Sequence, residues 1–233
     1  MTRFAGTGIN DKGEMCGVMG SGRKNPSSQQ PDRETEHLAV WQNGKVQDLG
    51  TLDGADWCNP TAINNRGEVI GTVGPYAMGP GDTNPESIRR FFWSRGKMHD
   101  LGSDGEAAAL NNLGQVVGWK TWPDGQHGFV YQGGTTREIK NPLGSGVSAA
   151  VAINDRGQMV QVAFGSRGAN ERVHAYFLDG SSVTELNPPP GYSLSFYSRP
   201  VLTSAGQVIF KDSAGVGTLP GFTHTDIVAT RAC

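Results

Sequence analysis

The sequence predicts an all-β protein assembled from repeated four-stranded antiparallel units. Three observations predict it. A nine-residue stretch recurs five times. It reads "INDKGEMCG" (9–17), "INNRGEVIG" (63–71), "LNNLGQVVG" (110–118), "INDRGQMVQ" (153–161) and, in worn form, "LTSAGQVIF" (202–210). A second, aromatic-rich stretch follows each of the first four copies: "HLAVWQNGKVQDLG" (37–50), "RRFFWSRGKMHDLG" (89–102), "HGFVYQGGTTREI" (127–139) and "HAYFLDGSSVTEL" (174–186). No useful run of 3.6-residue apolar periodicity occurs, so helices are not expected.

The first stretch reads as a hairpin. A short apolar run ends in Ile or Leu, Asn-x-x-Gly follows, and apolar residues resume. Asn favours the start of a type I turn because its side chain bonds the backbone two residues on. Gly then takes the positive-φ position that closes a short hairpin loop. The turn glycines, Gly13, Gly67, Gly114, Gly157 and Gly206, are spaced by 54, 47, 43 and 49 residues. The second stretch is another hairpin, so each repeat holds four strands: A ending at "IN", B as in "GEVIG", C as in "FFW" and D as in "KMHDLG". Four antiparallel strands in about 45 residues, repeated radially, are the signature of a β-propeller blade. The expectation is a single five-bladed β-propeller over residues 1–233, with blades at about 1–53, 54–105, 106–144, 145–190 and 191–233, the last degenerate.

Composition narrows the function classes. Gly makes up 34 of 233 residues, about twice the usual ~7% share, as suits many tight turns. The net charge of −2 and the 18% of charged residues lack the basic patch of a nucleic-acid binder. No apolar run approaches the ~20 residues of a membrane span, and residues 1–11 lack a signal-peptide pattern. The expected state is a soluble monomer without cofactor. Cys16, Cys58 and Cys233 are not in metal-binding spacing and read best as free thiols.

The "HAYF", "HGFVYQGG" and "HLAVWQNGKVQDLG" stretches, with "AINDRGQMV" and "AINNRGEVIG", resemble the HAF-repeat family, bacterial repeats of extracellular type named for a His-Ala-Phe motif. The resemblance covers nearly the whole chain and departs in the fifth blade. It implies a propeller and a secreted or cell-surface setting. It implies no residue-level activity.

The strand order puts long B–C connections (20–36, 74–88, 120–126, 164–173) and D–A connections (53–60, 188–199) on one face. Function concentrates in such loops on rigid scaffolds. They carry Trp57, Tyr76, Trp122, Tyr192, Phe196 and Tyr197. His37, His127 and His174 open strand C on that side, with Arg89 in their place in blade 2, and His224 or Pro220 in the uncertain register of blade 5. A metal shared around a ring would need ligands within ~2.1 Å. The expectation is therefore no metal, and a structural role in which each His bonds a neighbouring backbone group. His99 is expected at an outer edge.

Catalytic patterns are sparse. Of the five inner-strand segments, only "GEAAALN" carries an acid, Glu106, which argues against a paired-carboxylate glycoside hydrolase. No GxSxG motif occurs. Two readings stay open. One is a binding module holding a small molecule, peptide or glycan at one asymmetric site, with Trp57, Trp122 and Tyr76 as ligand-binding residues. The other is a lyase or isomerase at the same mouth, with Tyr197 as acid or base, Arg199 as charge stabiliser, and Glu106 beside them.

Overall fold

The computed structural model describes residues 3–24, 34–53, 55–75, 88–167, 170–187, 200–210 and 227–229. No helix occurs among them. Strands β1 (Phe4–Ile9), β2 (Met15–Lys24), β3 (Glu34–Gln42) and β4 (Lys45–Gly50) form the first sheet, in that order. Strands β5 (Trp57–Ile63), β6 (Val69–Gly74), β7 (Arg89–Ser94) and β8 (Lys97–Asp100) form the second. The third holds β9 (Glu106–Leu110), β10 (Val116–Trp122), β11 (Gly125–Gln132) and β12 (Thr135–Ile139). The fourth holds β13 (Val147–Ile153), β14 (Met159–Arg167), β15 (Asn170–Asp179) and β16 (Ser182–Leu186). A fifth, three-stranded sheet orders β17 (Val201–Leu202), β18 (Val208–Phe210) and β19 (Ile227–Ala229). The expected A, B, C and D strands are thus present in the first four repeats. Pro220 and His224 lie outside the described residues.

The chain divides into two compact units, Met1–Gly114 and Gln115–Cys233. In the first unit, Cys16, Leu38, Ala55, Cys58, Val69, Val73 and Phe91 form a buried apolar cluster. Cys16 and Cys58 are free, and burial pushes both thiols above their ordinary pKa; such thiols are inert packing groups. In the second unit, Ala149, Val160, Val162, Ala175, Phe177 and Leu186 of the fourth sheet pack with Val208 of the fifth.

Three A strands share a defect. Pairing shifts between Gly6 and Gly8, between Pro60 and Ala62, and between Ala150 and Ala152. These are bulges, which bend and twist the strand that carries them. At two of them the extra residue is a threonine whose hydroxyl donates across the pair, Thr7 to Cys16 O and Thr61 to Ile70 O. β5 is an edge strand, which is where Pro60 is tolerated. Opposite it, a Cβ at Gly71 would lie 2.4 Å from Asn59 O, so only glycine allows this approach. His99 lies on the edge strand β8, as expected, stacked at 6.0 Å on Phe92.

Two expected loops are strands instead. The third repeat's B–C connection is a two-residue turn, because β10 runs to Trp122 and β11 starts at Gly125 with Trp122 paired to Gly125. In the fourth repeat, β14 and β15 stay paired out to Arg167 and Asn170. Antiparallel pairing extends as long as both backbones find partners, and polar residues do not stop it.

Candidate functional site

The A–B turns come first, because they consume most of the recurring polar residues. Gly13, Gly67, Gly114, Gly157 and Gly206 have φ between 73 and 86°, as expected. In the second repeat, Asn64 Oδ1 accepts from Arg66 N and Glu68 N at 2.9 Å each. Asn154 does the same with Arg156 N and Gln158 N. These are the turn bonds expected from the sequence. The Asn side chain does more than that. Asn10 Nδ2 donates to Asn64 O, Asn64 Nδ2 to Asn111 O, and Asn154 Nδ2 to Thr203 O, at 2.8 to 3.0 Å. Each Asn therefore clips its repeat to the equivalent residue of the next. In the fifth copy Thr203 keeps the acceptor role, taking Gln207 N on its hydroxyl.

Among the described residues the motif histidines bond carboxylates rather than backbone groups, which corrects the expectation. His37 Nδ1 bonds Asp48, His127 Nδ1 bonds Glu138 at 2.7 Å, and His174 Nδ1 bonds Glu185 at 2.7 Å. Arg89 pairs with Asp100 at 3.2 Å in the second repeat. All four pairs span 11 residues and join strand C to strand D. Register explains them. Glu138 faces Phe129 and Glu185 faces Tyr176, so each carboxylate is the diagonal same-face neighbour of a residue two positions earlier on strand C. Diagonal neighbours lie within reach of long side chains. An ionised carboxylate only accepts, so each His Nδ1 carries the proton.

The third repeat adds to this pair. His127 Nδ1 also lies 3.8 Å from Asp124 Oδ1, and Lys140 Nζ lies 2.9 Å from Glu138 Oε2. Hydrogen bonds from Lys140 and then His127 hold the Glu138 carboxyl below the ordinary carboxylate range. Lys120 is paired opposite His127, and its ammonium sits 5.0 Å from the Trp122 ring. The equivalent partners of the motif residue elsewhere are Met19, Val73 and Ala163, so this basic, aromatic and acidic grouping is peculiar to the third hairpin.

Trp57 opens β5 and Glu106 opens β9, both half-buried in the first unit; Trp122 ends β10 in the second. Trp57 and Trp122 are strand residues rather than loop residues. Trp57 pairs with Gly74, and its indole N–H donates to Pro75 O at 3.1 Å. The ring lies against Gly74, so Trp57 anchors the second sheet. Tyr76, Tyr192, Phe196, Tyr197 and Arg199 lie outside the described residues.

Two residues escaped the sequence reading. Arg90 is buried at 1% exposure, where other repeats carry Leu38, Gly128 and Ala175. Its guanidinium donates to Leu101 O at 2.7 Å and pairs with Asp104 at 3.6 Å, which secures the segment after β8. The signal was a charge at an apolar repeat position. Asn141 builds a further Asn-x-x-Gly turn, accepting from Leu143 N and donating to Ser145 O. The motif "NPLG" was visible, but it falls between repeats. No protein-family model and no curated protein matches the chain.

Proposed function

We propose that the chain is a closed five-bladed propeller acting as a binding module, with one asymmetric ligand site on the face of the B–C connections. One observation carries this reading. The recurring polar side chains are used within the framework, as Asn clips to backbone carbonyls and as His/Arg–carboxylate pairs, whereas the B–C connections are of unequal length. Those connections hold 9 residues between β2 and β3, 14 between β6 and β7, and two each between β10 and β11 and between β14 and β15. A framework of paired groups with unequal ends suits one site better than five equal ones.

The clips support ring closure. A contact that repeats head to tail generates either a ring or a helix, and four to eight blades is the range in which propellers close. The ligand is a glycan, a peptide or a small metabolite, held by the aromatic residues Trp122, Tyr76 and Tyr197 with Glu106 and Arg199. Trp57 supplies only a ring face, since its N–H is already used. A secreted or surface setting accompanies the resemblance to HAF repeats, and cell fractionation tests it.

The test is a glycan and peptide array on the full chain, followed by titration of the best ligand against Trp122→Ala and Tyr197→Phe. Loss of affinity by about tenfold in Trp122→Ala, from a lost aromatic contact, with an unchanged melting temperature is the expected result. Unaltered affinity in both variants would remove the site from this face. Averaged electron micrographs without five-fold blades would remove the ring.

A further inference from the structure

We propose that the third repeat holds a divalent transition ion, zinc in the first instance, between Asp124, His127 and Glu138. The proposal is independent of the ligand site above. The donor atoms of these three residues all lie within 4.8 Å of one another. They come from the β10–β11 turn, from β11 and from β12, so one hairpin-built sheet fixes all three. His127 Nδ1 is central, 2.7 Å from Glu138 Oε1 and 3.8 Å from Asp124 Oδ1.

A tetrahedral ion with bonds of about 2.1 Å sets its ligand atoms about 3.4 Å apart. The two observed distances bracket that value. The adjustment falls on Asp124, which is exposed in a turn, and on a torsion of Glu138; His127, with its side chain 9% exposed, need not move. Binding replaces the Nδ1 proton of His127 by the ion, and that proton leaves to solvent. Imidazole with two carboxylates suits zinc and its neighbours better than calcium or magnesium, which want more oxygens. Three protein ligands leave a fourth position for water on the exposed side. Lys140, on Glu138 Oε2, opposes the ion's charge and orients the carboxylate. Lys120 is drawn toward the Trp122 ring.

The sequence supplies a second, independent observation. An acid stands three residues before the motif residue, and another eleven after it, in every one of the first four repeats: 34/37/48, 86/89/100, 124/127/138 and 171/174/185. A simple His–carboxylate pair needs only the second acid. In the second repeat Arg89 replaces the histidine and brings a permanent positive charge to Asp100. Substitution by a built-in cation is what a site that otherwise recruits one would show.

The experiment strips the full chain with a chelator, then titrates zinc by calorimetry and cobalt(II) by visible absorption. Saturable zinc binding and the intense bands of low-coordinate cobalt are expected. Asp124→Asn, in an exposed turn and so with little bearing on folding, should remove one equivalent or weaken it by about tenfold or more, as should Glu138→Gln. The loss of one equivalent identifies this site whatever other groups contribute. Absence of saturable binding at millimolar zinc would overturn the proposal. So would stoichiometry and affinity that are unchanged in both variants, with circular dichroism showing each folded.

Discussion

The A–B turns of the second and fourth repeats have the same backbone and opposite chemistry. In the second, buried Glu68 accepts from Asn64 Nδ2 at 2.7 Å and from Ser94 Oγ at 3.2 Å. In the fourth, buried Gln158 accepts from Asn154 Nδ2 at 2.8 Å but donates to Asp179 Oδ2 at 3.0 Å. The first and third repeats follow the same parity. Glu14 accepts from Gln42 Nε2, and Gln115 donates to Gln132 Oε1. Gln42, Ser94, Gln132 and Asp179 each end their C strand. The turn asks for one acceptor oxygen facing the Asn. The remaining atom is chosen to complement the end of strand C: an acceptor meets a donor, or a donor meets an acceptor. Repeats one and two use Glu, and repeats three to five use Gln. The comparison teaches that this position is read as a pair with a residue some 17 to 28 positions away.

The largest effect should come from the Asn common to both turns. Asn64→Ala removes two acceptor and two donor bonds and leaves the buried Glu68 carboxylate short of a partner. A cost of about 3 kcal/mol is expected, measured by urea unfolding. Asn154→Ala should cost less, because a neutral amide is left behind rather than a charge; an equal cost would break the comparison.

Next is Gln158→Glu, which sets a carboxylate against Asp179 in place of a donor. About 2 kcal/mol is expected, and Asp179→Asn in the same chain should recover most of it. A double-mutant cycle with no coupling would show that parity is not what selects Gln here.

Gly67→Ala and Gly157→Ala should each cost about 1 kcal/mol, because φ is 73 and 76° at the two sites and L residues resist that conformation. A Cβ at Gly67 would meet only Glu14 Oε2, at 3.7 Å, so the cost is conformational. Thermal melts of the two variants should match. A large difference would place the distinction between the turns in their backbone rather than in their side chains.

The smallest effect sharpens the rule at its exposed end. Glu14→Gln should change stability by under about 0.5 kcal/mol, since the exposed Gln42 amide can rotate to present its oxygen. A cost well above that would show the carboxylate itself to be required in the first repeat.

The turns and strand pairs were legible because they rest on local chemistry repeated several times. Asn-x-x-Gly at Asn64 predicts its own loop bonds and the positive φ of Gly67. The link from Asn64 Nδ2 to Asn111 O was not legible, because it joins residues 47 apart. The His–carboxylate pairs were half legible. His127 stands out in the sequence, but its carboxylate partner does not, since which strand-D residue lies diagonal to it depends on register. Position along the chain puts Trp57 in a D–A connection, whereas its pairing with Gly74 makes it a strand residue.

By itself the sequence determined the all-β class, the repeat phase, the strand order within each sheet and the turn geometry, because each follows from a few neighbouring residues and a fixed side-chain period. Only the tertiary structure decided which polar groups are spent on one another and where Asp124 stands relative to His127 and Glu138. Those outcomes depend on register and on diagonal neighbours across strands, and a spacing along the chain does not measure a distance across a sheet.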